Sequence, residues 1–164
     1  MNFNIFQVAY AVANIDEAAQ AGGLRFGIRQ FQINRDVPIE TTRGLARCHF
    51  AMAFLGDTQI ELIQPAGGAD DVYRDVLRPG GAFTLHHLGC LVRDEAAWRA
   101  RLAALEASGL GMPVRGAFGD LMHYVYADTR LELGHYLEYM YQTEAGAGLF
   151  ANVPRYAGVQ YDRT

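Results

Sequence analysis

The sequence predicts an α+β fold built from two βαβββ modules, and an internal repeat is the first reason. Phe6-Gln-Val-Ala-Tyr-Ala-Val12 and His86-His-Leu-Gly-Cys-Leu-Val92 align without gaps, pairing Gln7 with His87, Ala9 with Gly89 and Val12 with Val92. The second reason is that each copy is succeeded by a helix signal and then by three strand-like runs. The size agrees. With 164 residues, 51% apolar and 20% charged, the chain suits one compact domain or two small, closely packed modules, and neither disorder nor a fibre.

In the first module the strand at Phe6–Val12 leads to Asn14-Ile-Asp-Glu-Ala-Ala, where Asn14 is an N-cap and acidic residues fill the first helical turn. Three strands come next at about Gly27–Asn34, Arg47–Leu55 and Thr58–Gln64, the last two joined by a tight turn at Gly56-Asp57. Pro65-Ala-Gly-Gly-Ala-Asp-Asp71 through Arg78-Pro-Gly-Gly81 is a Gly/Pro-rich join around a short helical turn. A boundary near residue 80 gives modules 1–80 and 81–164. The second module repeats the plan, with a strand at Thr84–Val92 and a helix from Asp94 that ends at Ser108-Gly109. Strands are expected at Val114–Phe118, Leu121–Ala127 and Leu133–Tyr141, then a helix near Thr143–Asn152 before a loose tail.

Composition narrows the function. The net charge of -4 is mild, no run of like charges occurs, and all 14 basic residues are arginine. A nucleic-acid footprint and a lysine Schiff base are both excluded, so the expected partner is a small-molecule substrate. Cys48 and Cys90 lie in apolar strand runs and read as small buried hydrophobes, not as a disulfide frame. The start, Met-Asn-Phe-Asn-Ile-Phe, lacks the basic opening of a signal peptide, and no apolar stretch reaches the ~20 residues of a membrane span. The expectation is a cytoplasmic protein with no membrane partner.

Strand parity separates core from cavity. On the first strand Phe6, Val8, Tyr10 and Val12 form a bulky face, opposite Gln7, Ala9 and Ala11. On the fifth, Leu88, Cys90 and Val92 are bulky and carry His86 with them, so His86 is the structural histidine and His87 the cavity candidate. Glu61 shares a face with Gln59 and Ile63, and Glu138 with Tyr136 and Met140. A lone Glu in a strand usually sits at an exposed edge. Two at equivalent places in a repeat point elsewhere, because a buried carboxylate needs a salt bridge, a metal or a shifted pKa.

The spacing supports convergence: Gln7 to Glu61 is 54 residues and His87 to Glu138 is 51, so each module supplies a first-strand nitrogen or amide and a last-strand acid. Under a pseudo-twofold the four heads meet. One imidazole, two carboxylates and one amide oxygen suit a single divalent ion of borderline-to-hard character, with positions left open for water or substrate. Zinc, nickel, cobalt, manganese and iron(II) all satisfy that set.

At these residues the chain resembles the vicinal oxygen chelate superfamily, the glyoxalase/bleomycin-resistance/dioxygenase fold. The phrases that carry the resemblance are Ile60-Glu-Leu-Ile-Gln-Pro65, Leu85-His-His-Leu-Gly89 and Leu133-Gly-His-Tyr-Leu-Glu138, together with the paired modules. The resemblance implies a curved mixed sheet around a central cavity, a homodimer, and metal positions at Gln7, Glu61, His87 and Glu138. Glutamine in the first position looks like the eukaryotic type of glyoxalase I, and the stretch from Ile60 to His87 looks like methylmalonyl-CoA epimerase. One register stays open: matching Asp57-Thr58 to Asp128-Thr129 would make Glu132 the last ligand in place of Glu138.

Such a site implies an isomerase, epimerase or glyoxalase-like lyase that stabilises an enolate of a small oxygenated substrate, with Glu138 or Glu61 moving the proton. His49 alternates with Ala51 and Ala53, opposite Cys48, Phe50, Met52 and Phe54, and is a candidate substrate contact; so is Tyr136, from the Glu138 face. His135 has the opposite parity, and the face of His123 is ambiguous. Arg43 and Arg47 are candidates for a substrate anion, and Leu149-Phe150 with Val153-Pro154 for a lid. Two other readings share the fold: a metal-free small-molecule-binding protein that sequesters its ligand, and an extradiol-type, ring-cleaving dioxygenase, against which Gln7 counts because the Fe(II) triad takes two histidines. A third makes the glutamates surface residues of an interaction module.

Overall fold

A computed structural model describes residues 4–92 and 94–158. The first three residues of the chain and the last six of the expected tail lie outside the described residues. In chain order the elements are β1 (Asn4–Ala11), α1 (Ile15–Phe26), β2 (Gln32–Thr41), β3 (Gly44–Leu55), β4 (Thr58–Gly68) and α2 (Asp71–Arg74). Then come β5 (Thr84–Val92), α3 (Glu95–Ser108), β6 (Arg115–Phe118), β7 (Met122–Ala127), α4 (Arg130–Leu133), β8 (Tyr136–Gln142) and β9 (Arg155–Tyr156).

Both long helices begin and end where the sequence says they should. The Asn14 side chain accepts from the Asp16 and Glu17 amides at 3.0 and 3.2 Å, and the Asp94 carboxylate accepts from the Ala97 amide at 2.7 Å. Gly27 and Gly109 close them at φ 71° and 74°, a left-handed geometry that glycine adopts without a Cβ penalty.

The strands form one sheet in the order β2-β3-β4-β1-β5-β8-β7-β6, with β9 paired to β3. β1 runs antiparallel to β5 at the centre, and each is flanked by the parallel last strand of its own module, β4 or β8. The four strands that bear Gln7, Glu61, His87 and Glu138 are therefore contiguous. The sheet curls until its ends approach: Thr41 bridges to Val114, and the Thr42 amide donates to the Pro113 carbonyl at 3.0 Å.

Curvature gives the sheet a convex and a concave side. On the convex side α1 packs Ile15 and Ala18 onto Ala51, Ala53, Ile60 and Leu62, while α3 packs Trp98 and Leu105 onto Cys90, Val125 and Tyr139. Each such large apolar side chain contributes about 1.5–3 kcal/mol on burial. On the concave side a third cluster, including Phe50, Ile63, Tyr124, Tyr126 and Met140, surrounds the site. Both cysteines are buried free thiols.

Four sequence expectations need correction. The strand expected at Gly27–Asn34 lies at Gln32–Thr41, because it crosses a bulge between Asn34 and Val37, with Asp36 at φ 54°, and tolerates Pro38. The strand expected from Leu133 starts at Tyr136, because Arg130–Leu133 forms a helical turn closed by Gly134 at φ 79°. The helix expected near Thr143–Asn152 is a chain of turns, with hydrogen bonds such as Gly146 to Thr143 and Leu149 to Gly146 spanning three residues. Phe6 leaves the Val8 face at a bulge between Ile5 and Gln7, and packs with Phe150 on the concave side at 6.3 Å between ring centroids. Among the described residues no helix is long and apolar enough to cross a membrane.

Candidate functional site

The site lies where two rungs of the sheet cross its centre. One rung runs Gln59, Gln7, Gly89, Glu138, and the next runs Glu61, Ala9, His87, Tyr136. Each long first-strand side chain faces a small residue on its central neighbour, Gln7 opposite Gly89 and His87 opposite Ala9. That leaves room for the heads to meet. Gly89 is required by the approach itself: a Cβ there would lie 2.8 Å from both Gln7 Cβ and Met140 Cε, and closer still to Gln7 Oε1.

His87 is fully buried, and Nε2 points into the cluster, 3.0 Å from Gln7 Oε1, 2.9 Å from Glu138 Oε2 and 3.6 Å from Glu61 Oε2. Glu132, the alternative fourth ligand, is exposed on α4. Gln7, Glu61 and Glu138 are also buried. Among the described residues no group of three His, Cys, Asp or Glu side chains stands ready-spread for an ion; these heads are closed on one another.

Protonation is set by the partners. His86 Nε2 lies 3.0 Å from the Val72 carbonyl, which can only accept, so this nitrogen carries the proton. His86 Nδ1 then accepts from His87 Nδ1, 2.9 Å away, and His87 Nε2 is left with a bare lone pair. Burial supports neutral rings, pushing His87 down to about 3 and His86 well below the usual histidine range. The 2.9 Å contact with Glu138 is accordingly not an ion pair. Burial raises the Glu138 carboxyl to about 8, so near neutral pH it keeps its proton and donates to His87 Nε2. Glu61 is raised too, first by burial and then by the Glu138 charge.

The Gln7 amide is held oxygen-inward. Its Nε2 donates to Gln59 Oε1 at 2.7 Å, an arrangement that leaves Gln59 Nε2 buried without a hydrogen-bond partner. Gln7 Oε1 and His87 Nε2 thus present lone pairs to each other, beside two carboxyls. Four oxygen- or nitrogen-bearing heads from four strands around one point, with carboxyl protons as the only donors between them, fit a cation chemically.

Above the heads opens a cavity of about 620 Å3, walled by Phe50, Met52, Phe118, Met122 and Tyr124 among others, with Leu149 and Phe150 at its edge. His49 does not line it. Its strand neighbours Phe50 and Met52 do, because the cavity wall is itself bulky and apolar; His49 lies on the helix side, accepting from the Asp36 amide at 3.0 Å. Tyr136 lies on the concave side but below the heads, buried against His86 and under Arg130, and outside the cavity lining. His123 stacks on Trp98 and Tyr141 near α3, and the His135 ring is held by the Tyr136 carbonyl at 2.8 Å. Arg43 pairs with Asp71 at 2.8 Å, and neither Arg43 nor Arg47 reaches the cavity.

Parity missed three participants. His86 is the extra residue of a bulge between Ala9 and Tyr10, which turns it to the same side as His87 and stacks it on Tyr73 at 4.9 Å. Gln59 was visible only as a face-mate of Glu61. Arg35, at the cavity mouth, lies in the bulged strand that the sequence did not delimit.

Comparison with known proteins agrees with this architecture. The sequence profile of the Glyoxalase/Bleomycin resistance protein/Dioxygenase superfamily matches residues 6–126, and the chain belongs to that superfamily. No curated protein matches it in sequence. Among solved structures, a methylmalonyl-CoA epimerase in complex with methylmalonyl-CoA and NH4+ is 16% identical, with a TM-score of 0.60, covering 88% of this chain and 98% of its own. A hypothetical protein from Bacillus halodurans is 18% identical, with a TM-score of 0.57 and coverage of 88% and 97%. Methylmalonyl-CoA epimerase from Mycobacterium tuberculosis is 16% identical, with a TM-score of 0.55 and coverage of 85% and 87%. At these identities the likeness is one of fold.

Proposed function

We propose that this protein is a divalent-metal-dependent enzyme that moves a proton at the carbon next to a carbonyl or vicinal oxygen pair, as an isomerase, epimerase or lyase. The observation that carries the reading is the convergence of Gln7 Oε1, Glu61 Oε2 and Glu138 Oε2 on the His87 Nε2 lone pair, at 3.0, 3.6 and 2.9 Å. These four would hold the ion. When bound, a divalent ion such as Zn2+, Ni2+, Co2+, Mn2+ or Fe2+ supplies Lewis acidity that holds negative charge on an enolate oxygen.

The chain's own contribution is positional. Glu61 comes from β4 and Glu138 from β8, so the two carboxyls flank His87 from opposite modules. A substrate carbon between them can lose its proton to one carboxylate and regain it from the other, which inverts the centre, or from the same one at a neighbouring atom, which isomerises it. Burial raises both carboxyls in the metal-free chain, so the Glu138 proton would be displaced by a divalent ion held here. Support from the neighbours is at the level of fold: an epimerase crystallised with methylmalonyl-CoA is built on the same kind of sheet.

The test is solvent isotope exchange. Protein loaded with Co2+, Ni2+, Mn2+ or Zn2+ and incubated in D2O with a panel of α-hydroxy ketones and 2-substituted acyl thioesters should place deuterium at the acidic carbon, and Glu138→Gln should slow this at least 100-fold. No exchange with any loaded form would instead favour a small-molecule-binding protein without catalysis.

A further inference from the structure

We infer that the substrate of this site is compact and largely apolar, with an aromatic or alicyclic body attached to the oxygen pair, and that it carries no nucleotide tail. This rests on the proposed proton-transfer function and narrows it. The cavity of about 620 Å3 falls within the roughly 300–1,000 Å3 typical of pockets that enclose a whole small ligand. At the floor stand Gln7, Glu61 and Glu138, near the Tyr73 and Tyr126 hydroxyls, which lie 3.4 Å from each other. Toward the exposed Arg35 stand Asn34 and Gln32, whose Oε1 is buried without a hydrogen-bond partner.

The wall includes Phe50, Met52, Phe118, Met122 and Tyr124, with Phe150 at the partly exposed rim. The Tyr124 oxygen accepts from the Glu40 amide at 3.4 Å, which orients the hydroxyl toward β2 and leaves the ring as wall. Phe118 tilts against Tyr124 at 5.0 Å, and the thioethers of Met52 and Met122 adapt to ring edges. A wall of this chemistry desolvates a planar or cyclic hydrocarbon body and offers a hydrated or charged tail few partners.

Charge at the mouth argues the same way. Arg35 is the one basic side chain among the cavity-lining residues, and its guanidinium bonds Asp16 at 2.7 Å. A diphosphate-bearing tail asks for several cations or a nest of amides. Arg35 can at most meet a single anionic or polar substituent.

Two α-hydroxy ketones isolate the body from the reacting group: benzoin carries phenyl rings where acetoin carries methyl groups. Calorimetric titration of the metal-loaded protein should show benzoin binding at least 100-fold more tightly than either acetoin or methylmalonyl-CoA. Phe150→Asp, at the partly exposed rim, should weaken benzoin at least tenfold and leave acetoin within twofold. Benzoin binding no tighter than acetoin, or methylmalonyl-CoA binding as tightly as benzoin, overturns the inference. The isotope measurement reads the other claim separately: tight, rim-sensitive benzoin binding without deuterium exchange leaves the apolar pocket standing and removes the proton chemistry.

Discussion

At the scale of single residues, the chain of neutral groups from Glu138 through His87 and His86 to the Val72 carbonyl fixes which nitrogen of His87 is bare. A second hydrogen-bonding shell of this kind typically sets ligand orientation and basicity, and its loss lowers metal affinity by about 10–100-fold. His86→Phe keeps the aromatic stack on Tyr73 but removes the acceptor for His87 Nδ1–H. We expect it to weaken Co2+ binding in a competition titration by that factor, with His86→Asn recovering part of the loss through its side-chain oxygen; equal affinity in His86→Phe would show that the pair is mere packing.

The same residues set a pH dependence. Glu138 holds a proton in the folded chain up to about 8, above the ordinary 4.5 of the unfolded one, so its stabilisation is full below 4.5 and is lost as pH rises toward 8. The depressed histidines act oppositely: their contribution is present above 6.5 and lost as pH falls. Between pH 6.5 and 8 only the acids slope. Metal-free protein should therefore melt at lower temperature as pH rises through this window, and Glu138→Gln should flatten the slope; a melting temperature that climbs there would refute the assigned protonation. Parity and the repeat, read from the sequence, put Gln7, Glu61, His87 and Glu138 on one side because the bulges of the β1–β5 pair fall beside Gln7 and His87 and not at them. Parity failed at His49, where an apolar cavity wall looks like core, and at Phe6 and His86, because a bulge inserts one residue and flips the face without any mark in composition.

At the scale of elements, β1 and β5 do the positioning. Their antiparallel register sets Ala9 against His87 and Gly89 against Gln7, and each small residue makes space for the long one across the pair. Gly89→Ala should displace Gln7 without unfolding the sheet. Expected readouts are at least tenfold weaker metal binding and a melting temperature within several degrees of the parent; unchanged metal affinity would mean that Gln7 is not a ligand. Capping residues made α1 and α3 legible, since Asn14, Asp94, Gly27 and Gly109 each have a local reason to be there. β2 was harder to delimit because Asp36 and Pro38 interrupt its pattern, and the segment after Thr143 forms turns, with Gly146 and Gly148 weakening its helix propensity. Val153 is buried, the Phe54 amide donates to the Pro154 carbonyl at 2.8 Å, and β9 pairs with β3, so this segment is pinned beside the cavity edge.

At the scale of the whole molecule, duplication explains why the heads meet at all. Each module alone would carry one amide or imidazole and one acid on neighbouring parallel strands; only the β1–β5 pairing brings the two sets together. The repeat led to the expectation that a pseudo-twofold would bring the four together, but not to the β1–β5 pairing, and the closeness of the heads depends on the curvature and bulges of the assembled sheet. An ion that binds the folded chain and not the unfolded one stabilises it by mass action, about 2.7 kcal/mol at 100 times its Kd. The decisive measurement is titration of metal-free protein with Co2+, monitored by its visible absorption and by calorimetry, in the parent, His87→Ala and Glu138→Ala. The account predicts one Co2+ per chain in the parent and at least 100-fold weaker binding in both variants. Stoichiometric binding that survives both substitutions, or no binding by the folded parent, would contradict it.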